Sequence, residues 1–336
     1  MSVDIGENEP VVFNADGLHR LMTAIEKAGV GVASFRWPPQ DQPDRAPYRG
    51  WEPFGNIDAG VFFGRDAELV LAMDALRGMR QADKTLFVVL GASGAGKSSF
   101  MRAGMVPRLQ KDDRSYLVLD IVRPEFKALT GASGLAQAIC TTRQRFGLLD
   151  PPLGDIKDAC ARGDATGLRT WLVECRDAAS GQLLDKTADG EPLIIVLPLD
   201  QGEELFTGDE PEAAGLLSLI RELALGGDGA DGLPLIVAAT IRTDRYELMQ
   251  TAPELAGLYT EQFDLRAMDT TQFANVIIGP AQRSTDGGRS LQLDEQLVRR
   301  LLADASGGAD TLPLLSLTMA WLYRDYGSTG RLTLRP

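Results

Sequence analysis

The fold is decided by residues 91–98, which read Gly91-Ala92-Ser93-Gly94-Ala95-Gly96-Lys97-Ser98. This is a complete G-x-x-x-x-G-K-[ST] pattern, a glycine-rich turn whose backbone amides can surround a phosphate group. The apolar, β-branched run before it, residues 85–90, is typical of a buried strand. The residues after it can begin a helix, because neither Gly nor Pro interrupts residues 98–103. Strand, loop and helix in this order are the context that the pattern requires, so we predict a phosphate-binding loop.

Each residue type in the loop has a chemical role in this prediction. Gly91, Gly94 and Gly96 allow the backbone to adopt conformations that other residues avoid, and the start of the helix adds a partial positive charge. We expect Lys97 to reach the β- and γ-phosphates and the Ser98 hydroxyl to bind Mg²⁺. The neighbours predicted to complete the phosphate-binding set are Ser93, Ala95 and Ser99. The alternative is a glycine-rich turn with a solvated lysine.

Composition narrows the class of protein. The 336 residues carry a formal net charge of −13, with 44% hydrophobic and 24% charged residues, which is typical of a globular protein long enough for more than one domain. The acidic balance argues against nucleic acid as the main partner, because phosphate contacts need a basic face. His19 lies on a helical pattern far from the loop, so we expect it to be structural.

The cellular compartment is predicted from cysteine usage and from apolar runs. Cys140, Cys160 and Cys175 are far apart and lack metal-ligand spacing, which favours reduced core thiols. We find no signal peptide, and the apolar run 311–323 is too short to span a bilayer. These features predict a cytoplasmic protein without a membrane partner. The chain ends without an obvious terminal cap, so we also expect it to be a fragment of a larger protein.

A second element of a nucleotide site follows the apolar run 193–199, which ends at Asp200. An aspartate at the carboxyl end of a buried parallel strand is the Walker B arrangement, and it places one carboxylate where ligands of α/β sheets collect. We therefore predict that Ser98 and Asp200 bind Mg²⁺. Pro198 cannot donate a ladder bond, so we expect a bulge there. The alternative is that Asp200 only caps an acidic helix.

The rest of the chain completes an α/β pattern followed by helices. The runs 115–122 and 235–240 predict two more buried strands. Thr240 and Arg242, at the end of the later run, are candidates for sensing a γ-phosphate, with a surface salt bridge as the alternative. Residues 262–265 predict a short fifth strand. Helical patterns then cover residues 269–278, where Gly279-Pro280 ends the pattern, 294–305 and 312–326.

We therefore predict a parallel sheet flanked by helices and followed by a helical lid. The predicted domains are residues 1–47, 48–268 and 269–336. The first contains a helix over residues 16–28 and a proline-rich extended connector over 37–47.

Taken together, the motifs resemble those of STAND-type P-loop NTPases, regulatory relatives of AAA+ proteins. The resemblance covers residues 47–326 and is greatest to the bacterial group called novel STAND NTPase 1. The segments that carry it, besides the phosphate loop, are 47–54, 62–68, 98–107, 200–206, 240–244, 279–281 and 307–315.

This resemblance implies roles for particular residues. Gly64 and Arg65 would border the adenine and ribose of ATP or ADP, and the segments around Pro280 and Pro313 would bring the lid onto the nucleotide. The implied catalytic residues are Lys97, Asp200 and Arg242, with either Glu203 or Glu204 as the base. The base stays open because the acidic pair does not directly follow the aspartate, as it does in AAA+ proteins.

The resemblance also implies a function, namely slow ATP hydrolysis in a signalling switch that forms homo-oligomers when activated. Effector and sensor domains would lie outside this segment, in a bacterial signalling or anti-phage defence protein. The alternatives are a P-loop kinase or transferase acting on a small acceptor, a nucleic-acid-dependent ATPase and a scaffold that does not hydrolyse ATP. A GTPase is disfavoured because the sequence has no N-K-x-D motif.

Overall fold

A computed structural model describes the fold for residues 31–79, 84–125, 127–182, 192–207, 212–226, 233–305 and 311–334. The predicted helix over residues 16–28, with His19, lies outside these residues. So do residues 307–310 of the last motif.

Five parallel strands form the central sheet in the order β2-β3-β4-β1-β5. Their bounds are β1 Lys84–Gly91, β2 Tyr116–Val118, β3 Ile194–Leu199, β4 Leu235–Arg242 and β5 Tyr259–Asp264. Nearly all residues of the inner strands β1, β3 and β4 are buried, as expected where helices cover both faces of a parallel sheet. The predicted α/β fold with a parallel sheet is therefore confirmed.

The strand order brings the predicted site segments to one edge of the sheet. The neighbours β1 and β4 pair in register as far as Gly91 and Arg242. On the other side of β4, the strand β3 pairs as far as Leu199 and Ala239. Because the strands are parallel, their carboxyl ends lie together. The phosphate loop after β1, Asp200 after β3 and the end of β4 consequently share this edge.

Pro198 lies within β3, but the bulge predicted there is wrong. Pro198 pairs with Ala238 without a register shift. Its carbonyl accepts the Val122 N–H at 2.8 Å, so Pro198 faces the β2 side of its strand. The regular part of β2 ends at Val118, and the chain returns to β3 only at Val122. The irregularity therefore lies in the neighbouring strand, opposite the donor that proline lacks.

Helices cover both faces of the sheet. One face packs on α1 (Asp66–Met79) and on the helix that follows the phosphate loop. The other face packs mainly on α3 Leu135–Arg145, α4 Leu153–Arg162, α5 Ala165–Gln182, α6 Ala213–Leu225 and the short α7 Tyr246–Gln250. Alternate residues of β1 divide between the two cores. Val88 faces the second set of helices, whereas Phe87 and Val89 face the first.

The helix after the phosphate loop, α2, contains a wide turn. It begins as α-helix over Lys97–Ser99, continues as π-helix over Phe100–Met105 and ends as α-helix over Val106–Lys111. Insertions of π-helix into an α-helix are rare and occur frequently at functional sites. Here the π segment carries Arg102 next to the carboxyl edge of the sheet.

A helical module follows the sheet, as predicted, and is called the lid below. Its boundary at residue 269 stays a prediction. It consists of α8 Thr270–Asp286, α9 Glu295–Asp304, α10 Thr311–Tyr326 and a short parallel pair, β6 Gln292–Leu293 and β7 Arg331–Leu332. These elements share a third hydrophobic cluster, which also includes Tyr48.

The predicted end of helix α8 at Gly279-Pro280 is wrong, since the helix continues to Asp286. Proline interrupts the hydrogen bonds of the preceding turn. In this turn the Tyr48 hydroxyl donates to the Ile277 carbonyl at 2.6 Å. The carbonyl that Pro280 leaves without its helical donor is that of Val276, four residues earlier, so the Tyr48 bond holds the adjoining residue of this turn.

The proline-rich segment predicted as a connector is held against the rest of the described chain. Trp37 is buried. Arg45 Nη2 donates to Oδ2 of the buried Asp58 at 2.8 Å, and Arg283 of α8 donates to the Phe35 carbonyl at 2.6 Å. None of the described helices is long and apolar enough to cross a membrane.

Candidate nucleotide site

The phosphate loop joins β1 to α2 in the predicted strand–loop–helix order. Gly94 and Gly96 have φ angles of 75° and 87°, a left-handed conformation that favours glycine. A Cβ on Gly91 would lie 3.0 Å from the Leu265 carbonyl oxygen, so a side chain at this position would crowd the backbone after β5. Nζ of Lys97 donates to the carbonyls of Gly91 and Ala92 at 2.9 Å each. The ammonium group is thus held at the concave side of its own loop.

Asp200 forms the wall opposite the loop, and its carboxylate is fully buried. Oδ1 accepts the hydroxyl of Thr240 at 2.7 Å, and Oδ2 accepts Nε of Arg102 at 2.8 Å. Gln201 follows with a φ of 59°, which is uncommon for a residue other than glycine. Its N–H donates to the Thr240 hydroxyl at 2.9 Å. The strand end therefore holds Asp200 in one orientation.

The two glutamates that the sequence left open occupy different surroundings. Glu203 lines the cavity beside the loop, and its Oε2 atom is buried without a hydrogen-bond partner among the described residues. Glu204 instead accepts the backbone N–H of Glu125 at 2.9 Å. An unpaired buried acceptor next to a cavity is available for a ligand or a water molecule. The geometry therefore favours Glu203 as the base.

Arg242 lines the same cavity from the end of β4. Its Nε and Nη2 atoms donate to the two carboxylate oxygens of Asp244 at 3.0 and 2.8 Å. This ion pair is exposed, so the alternative of a surface salt bridge is observed, and contact with a γ-phosphate stays a prediction. The residue forms a surface salt bridge and also borders the cavity.

The main cavity lies between the loop, the strand ends and the lid, with a volume of about 510 Å³. Leu312, Pro313 and Ser316 of α10 line it from the lid side. The predicted site residues that line it are Ser93, Gly94, Gly96, Lys97, Ser98, Ser99, Asp200, Glu203, Arg242 and Pro313. The structure thus brings most of the predicted site together around one space.

A smaller apolar cavity of about 60 Å³ adjoins the loop on its lid side. Phe62, Phe63 and Val276 line it, together with the predicted site residues Arg65 and Pro280. Leu312 and Ser316 line both cavities, which places the two spaces side by side. The predicted site residues Gly64, Gly91, Ala95 and Glu204 are not among the described residues that line either one.

Arg65 connects three parts of the molecule from a buried position. Its Nη1 atom donates to Oε1 of Glu68 and to the Arg266 carbonyl at 2.9 Å each. Its Nη2 atom donates to the Ala95 carbonyl of the phosphate loop at 3.0 Å. Gln272 of α8 donates to the same Glu68 oxygen at 2.7 Å. These bonds fix the loop relative to the strand β5 and the lid.

Among the described residues, four cationic and three acidic side chains line the main cavity. Arg102 and Arg123 line it together with Lys97 and Arg242. Burial lowers the pKa of Lys97, and Arg242 lowers it further, whereas the carboxylates of Glu203 and Asp200 raise it. Burial also raises the pKa of Glu203, against the effect of Lys97. The arrangement suits an anionic ligand with several negative oxygens.

Sequence reasoning missed two of these cations. Arg102 stands four residues after Ser98 on one helix, a spacing that places both side chains on the same face and that could have identified it. Arg123 donates from its Nε atom to Oε1 of Gln201 at 2.6 Å. It lies in the irregular segment after β2, and no local pattern marks it.

The donor set is compatible with Mg²⁺ bound together with phosphates. Ser98 and Asp200 offer the oxygen ligands that this ion prefers, and Mg²⁺ is usually held by one or two carboxylates plus substrate phosphates. Among the described residues, no group of three or more His, Cys, Asp or Glu side chains could hold a metal ion.

Several solved structures are similar to this one at low sequence identity. The structure is similar to the Aeropyrum pernix ORC2 protein, solved in ADPNP–ADP complexes, with 15% identity over 80% of this chain and 64% of that chain and a TM-score of 0.49. The Aeropyrum pernix ORC1 protein in complex with DNA gives 16% identity, 79% and 61% coverage and a TM-score of 0.45. A Walker-type ATPase of Pyrococcus abyssi is 14% identical over 84% of this chain and 72% of that chain, with a TM-score of 0.43.

These alignments span less than two thirds of the length of the two Aeropyrum proteins. A search among curated proteins finds no match to this sequence. The family model described as novel STAND NTPase 1 matches residues 47–336, which include the phosphate loop, Asp200 and the helical module. The chain therefore belongs to the novel STAND NTPase 1 family.

Proposed function

We propose that this chain is an ATP-binding, slowly hydrolysing signalling switch. The observation that carries the proposal is the composition of the main cavity, which is lined by Lys97 and Ser98 of the loop, by Asp200 of the sheet and by Pro313 of the lid. A nucleotide in this cavity would contact the α/β layer and the lid together. Its phosphates could therefore bias how these two parts are arranged.

Each residue of the proposed site would have its own chemical role. Lys97 would exchange its two loop carbonyls for phosphate oxygens. Mg²⁺, held by Ser98 and Asp200, would supply positive charge for the phosphate tail. Glu203, with its unpaired oxygen, would accept a hydrogen bond from the attacking water, and its raised pKa suits a group that takes up a proton. Adenine would occupy the smaller, apolar cavity after that cavity widens.

Only contacts that differ between ATP and ADP can drive a switch. A nearly complete change of state requires about 5.5 kcal/mol of differential binding. Lys97, Arg242 and bound Mg²⁺ are the groups that a γ-phosphate would engage, and charge-assisted contacts of this kind are the strong ones.

We propose homo-oligomerisation as the output of the ATP-bound state, within a bacterial signalling or defence protein whose effector and sensor domains lie outside this segment. We also propose a cytoplasmic location, where the free, buried cysteines would stay reduced.

The test is nucleotide-induced thermal stabilisation. Wild-type protein should gain about 2.7 kcal/mol of stability with ATP or ADP at a hundredfold excess over Kd, and Lys97→Ala should abolish this gain. Lys127→Ala, at an exposed position outside the site, is the matched control and should keep it. An equal gain in Lys97→Ala and wild-type protein would refute the site.

Two other activities are distinguished by turnover. Rapid phosphate transfer to a small acceptor would support a kinase or transferase, and stimulation of ATP hydrolysis by DNA or RNA would support a nucleic-acid-dependent ATPase. The proposed switch predicts slow hydrolysis that neither addition accelerates.

A further inference from the structure

Arg102 contacts the same carboxylate that the proposed Mg²⁺ site requires. Its Nε atom donates to Oδ2 of Asp200 at 2.8 Å, and the Asp200 carboxylate is fully buried. The other oxygen, Oδ1, accepts the hydroxyl of Thr240. Both oxygens of Asp200 therefore have a protein partner, and among the described residues only Arg102 neutralises its charge at hydrogen-bond distance.

A guanidinium and a divalent cation cannot share this carboxylate oxygen without strong repulsion. Both would also approach Asp200 from the same side, because Arg102 and Ser98 line one cavity from successive turns of α2. We propose that Arg102 and the divalent cation are alternative partners of Asp200. Arg102 would occupy Oδ2 in the metal-free protein and leave it when the metal enters with the nucleotide. This inference rests on the proposed function.

Arg102 is placed so that it can exchange partners. Its side chain keeps 22% of its exposure, and the guanidinium borders the open cavity rather than the core. The Nη groups provide further donors next to the space proposed for the phosphates. Thr240 keeps its bond to Oδ1 throughout, so Asp200 stays oriented when its cationic partner changes.

Competition for Asp200 has a measurable consequence. Mg²⁺ has to displace Arg102, so the arginine weakens the coupling between metal and nucleotide binding. That coupling is the ratio of the Kd for a fluorescent ADP in EDTA to its Kd in saturating Mg²⁺. Arg102→Gln should raise this ratio about tenfold, as expected when a charge-assisted hydrogen bond no longer has to be broken. If Arg102 instead served the metal-bound state, the ratio would fall.

Arg123→Gln is the matched control, because it removes the same charge from the same cavity while its partners are Gln201 and Glu125 rather than Asp200. Whatever it does to the two affinities, it should leave their ratio unchanged within about twofold. In an Asp200→Asn background, Arg102→Gln should no longer change the ratio. If Arg102→Gln does not fold, Arg102→Lys replaces it as the test variant. It keeps the positive charge but loses the Nε donor, and should give a smaller rise.

The outcomes separate this inference from the proposed function. A rise with Arg102→Gln alone, lost in the Asp200→Asn background, supports the competition. A ratio that stays constant or falls with Arg102→Gln, or that rises equally with Arg123→Gln, overturns it while ADP binding still supports the nucleotide site. Wild-type protein that binds no ADP in either condition overturns both.

Discussion

Thr240 donates its hydroxyl hydrogen to Oδ1 of Asp200 at 2.7 Å, across the ends of two adjacent strands. The same hydroxyl oxygen accepts the N–H of Gln201 at 2.9 Å, and Thr240 is buried. A threonine hydroxyl has one donor, and here that donor is used on Asp200. The structure therefore favours Thr240 as a positioning residue for Asp200 over the predicted contact with a γ-phosphate.

Replacing Thr240 by valine should destabilise the protein, because Oδ1 of Asp200 would lose its donor in a buried place. We expect a loss of about 2 kcal/mol in the free energy of unfolding, measured by denaturant unfolding without nucleotide. Thr243→Val changes an exposed threonine just after the same strand and should cost less than about 0.5 kcal/mol. Equal losses in the two variants would show that the Thr240 hydroxyl does not support Asp200.

Glu203→Gln should separate nucleotide binding from hydrolysis. If Glu203 is the base, the amide should lower the hydrolysis rate by about a hundredfold or more and leave ATP-induced stabilisation in place. Glu204→Gln is the control, because the Glu204 carboxylate accepts the Glu125 backbone N–H instead of facing the cavity. A larger loss of hydrolysis with Glu204→Gln would reverse the assignment.

The raised pKa of Glu203 also predicts a pH dependence of stability. Burial favours the protonated form, so Glu203 stabilises the fold fully below its unfolded pKa of 4.5 and loses this contribution as pH rises through the higher folded value. At neutral pH the buried carboxylate is therefore a cost that glutamine removes. Glu203→Gln should have a higher thermal midpoint than wild-type protein at neutral pH, and the difference should vanish in acid. A difference that grows in acid would contradict the pKa direction.

Arg65→Lys should destabilise the protein even without nucleotide. Lysine cannot reproduce the bonds of the guanidinium to Glu68, Arg266 and Ala95, and we expect a cost of about 3 kcal/mol in denaturant unfolding. Arg77→Lys on α1 is the control, since its ion pair with Asp74 is exposed and contributes little. Unchanged stability combined with weaker ADP binding would support the nucleotide contact implied by resemblance instead.

Local patterns predicted the parts of the fold that depend on neighbouring residues. The buried strands are apolar runs, and the phosphate loop is a contiguous motif, so both were found from the sequence. The end of α8 was misplaced because proline is a local stop signal, whereas the Tyr48 hydroxyl that bonds to this turn comes from 229 residues away from Ile277. Helix α4 was missed because it is short, Leu153–Arg162, and has Pro152 rather than a preferred polar residue at its N-cap.

The candidate site likewise contains residues that local patterns predict and contacts that depend on distant parts of the chain. Lys97, Ser98 and Asp200 belong to motifs with fixed spacing. The pairing of Arg102 with Asp200 joins residues 98 positions apart, and it exists only because β1 and β3 both flank β4. The choice between Glu203 and Glu204 likewise depends on which carboxylate faces the cavity, and sequence spacing does not encode that difference.

The contact between the lid and the segment before α1 gives the last prediction. A Cβ added to Gly279 of α8 would lie 2.5 Å from the ring of Phe63, so Gly279→Ala should force the helix and the ring apart. Replacing glycine by alanine inside a helix normally stabilises it by about 1 kcal/mol. Here we expect a loss of about 1–3 kcal/mol from overpacking.

The control is Gly78→Ala in α1, where nothing lies within 4 Å of the added Cβ and a small gain in stability is expected. Phe63→Ala removes the obstructing ring, so adding Gly279→Ala to that variant should cost less than adding it to wild-type protein. Chemical denaturation of the four proteins of this cycle measures the interaction. Additive losses would mean that Gly279 and Phe63 do not press on each other, and that the lid is not seated on this segment as the structure shows.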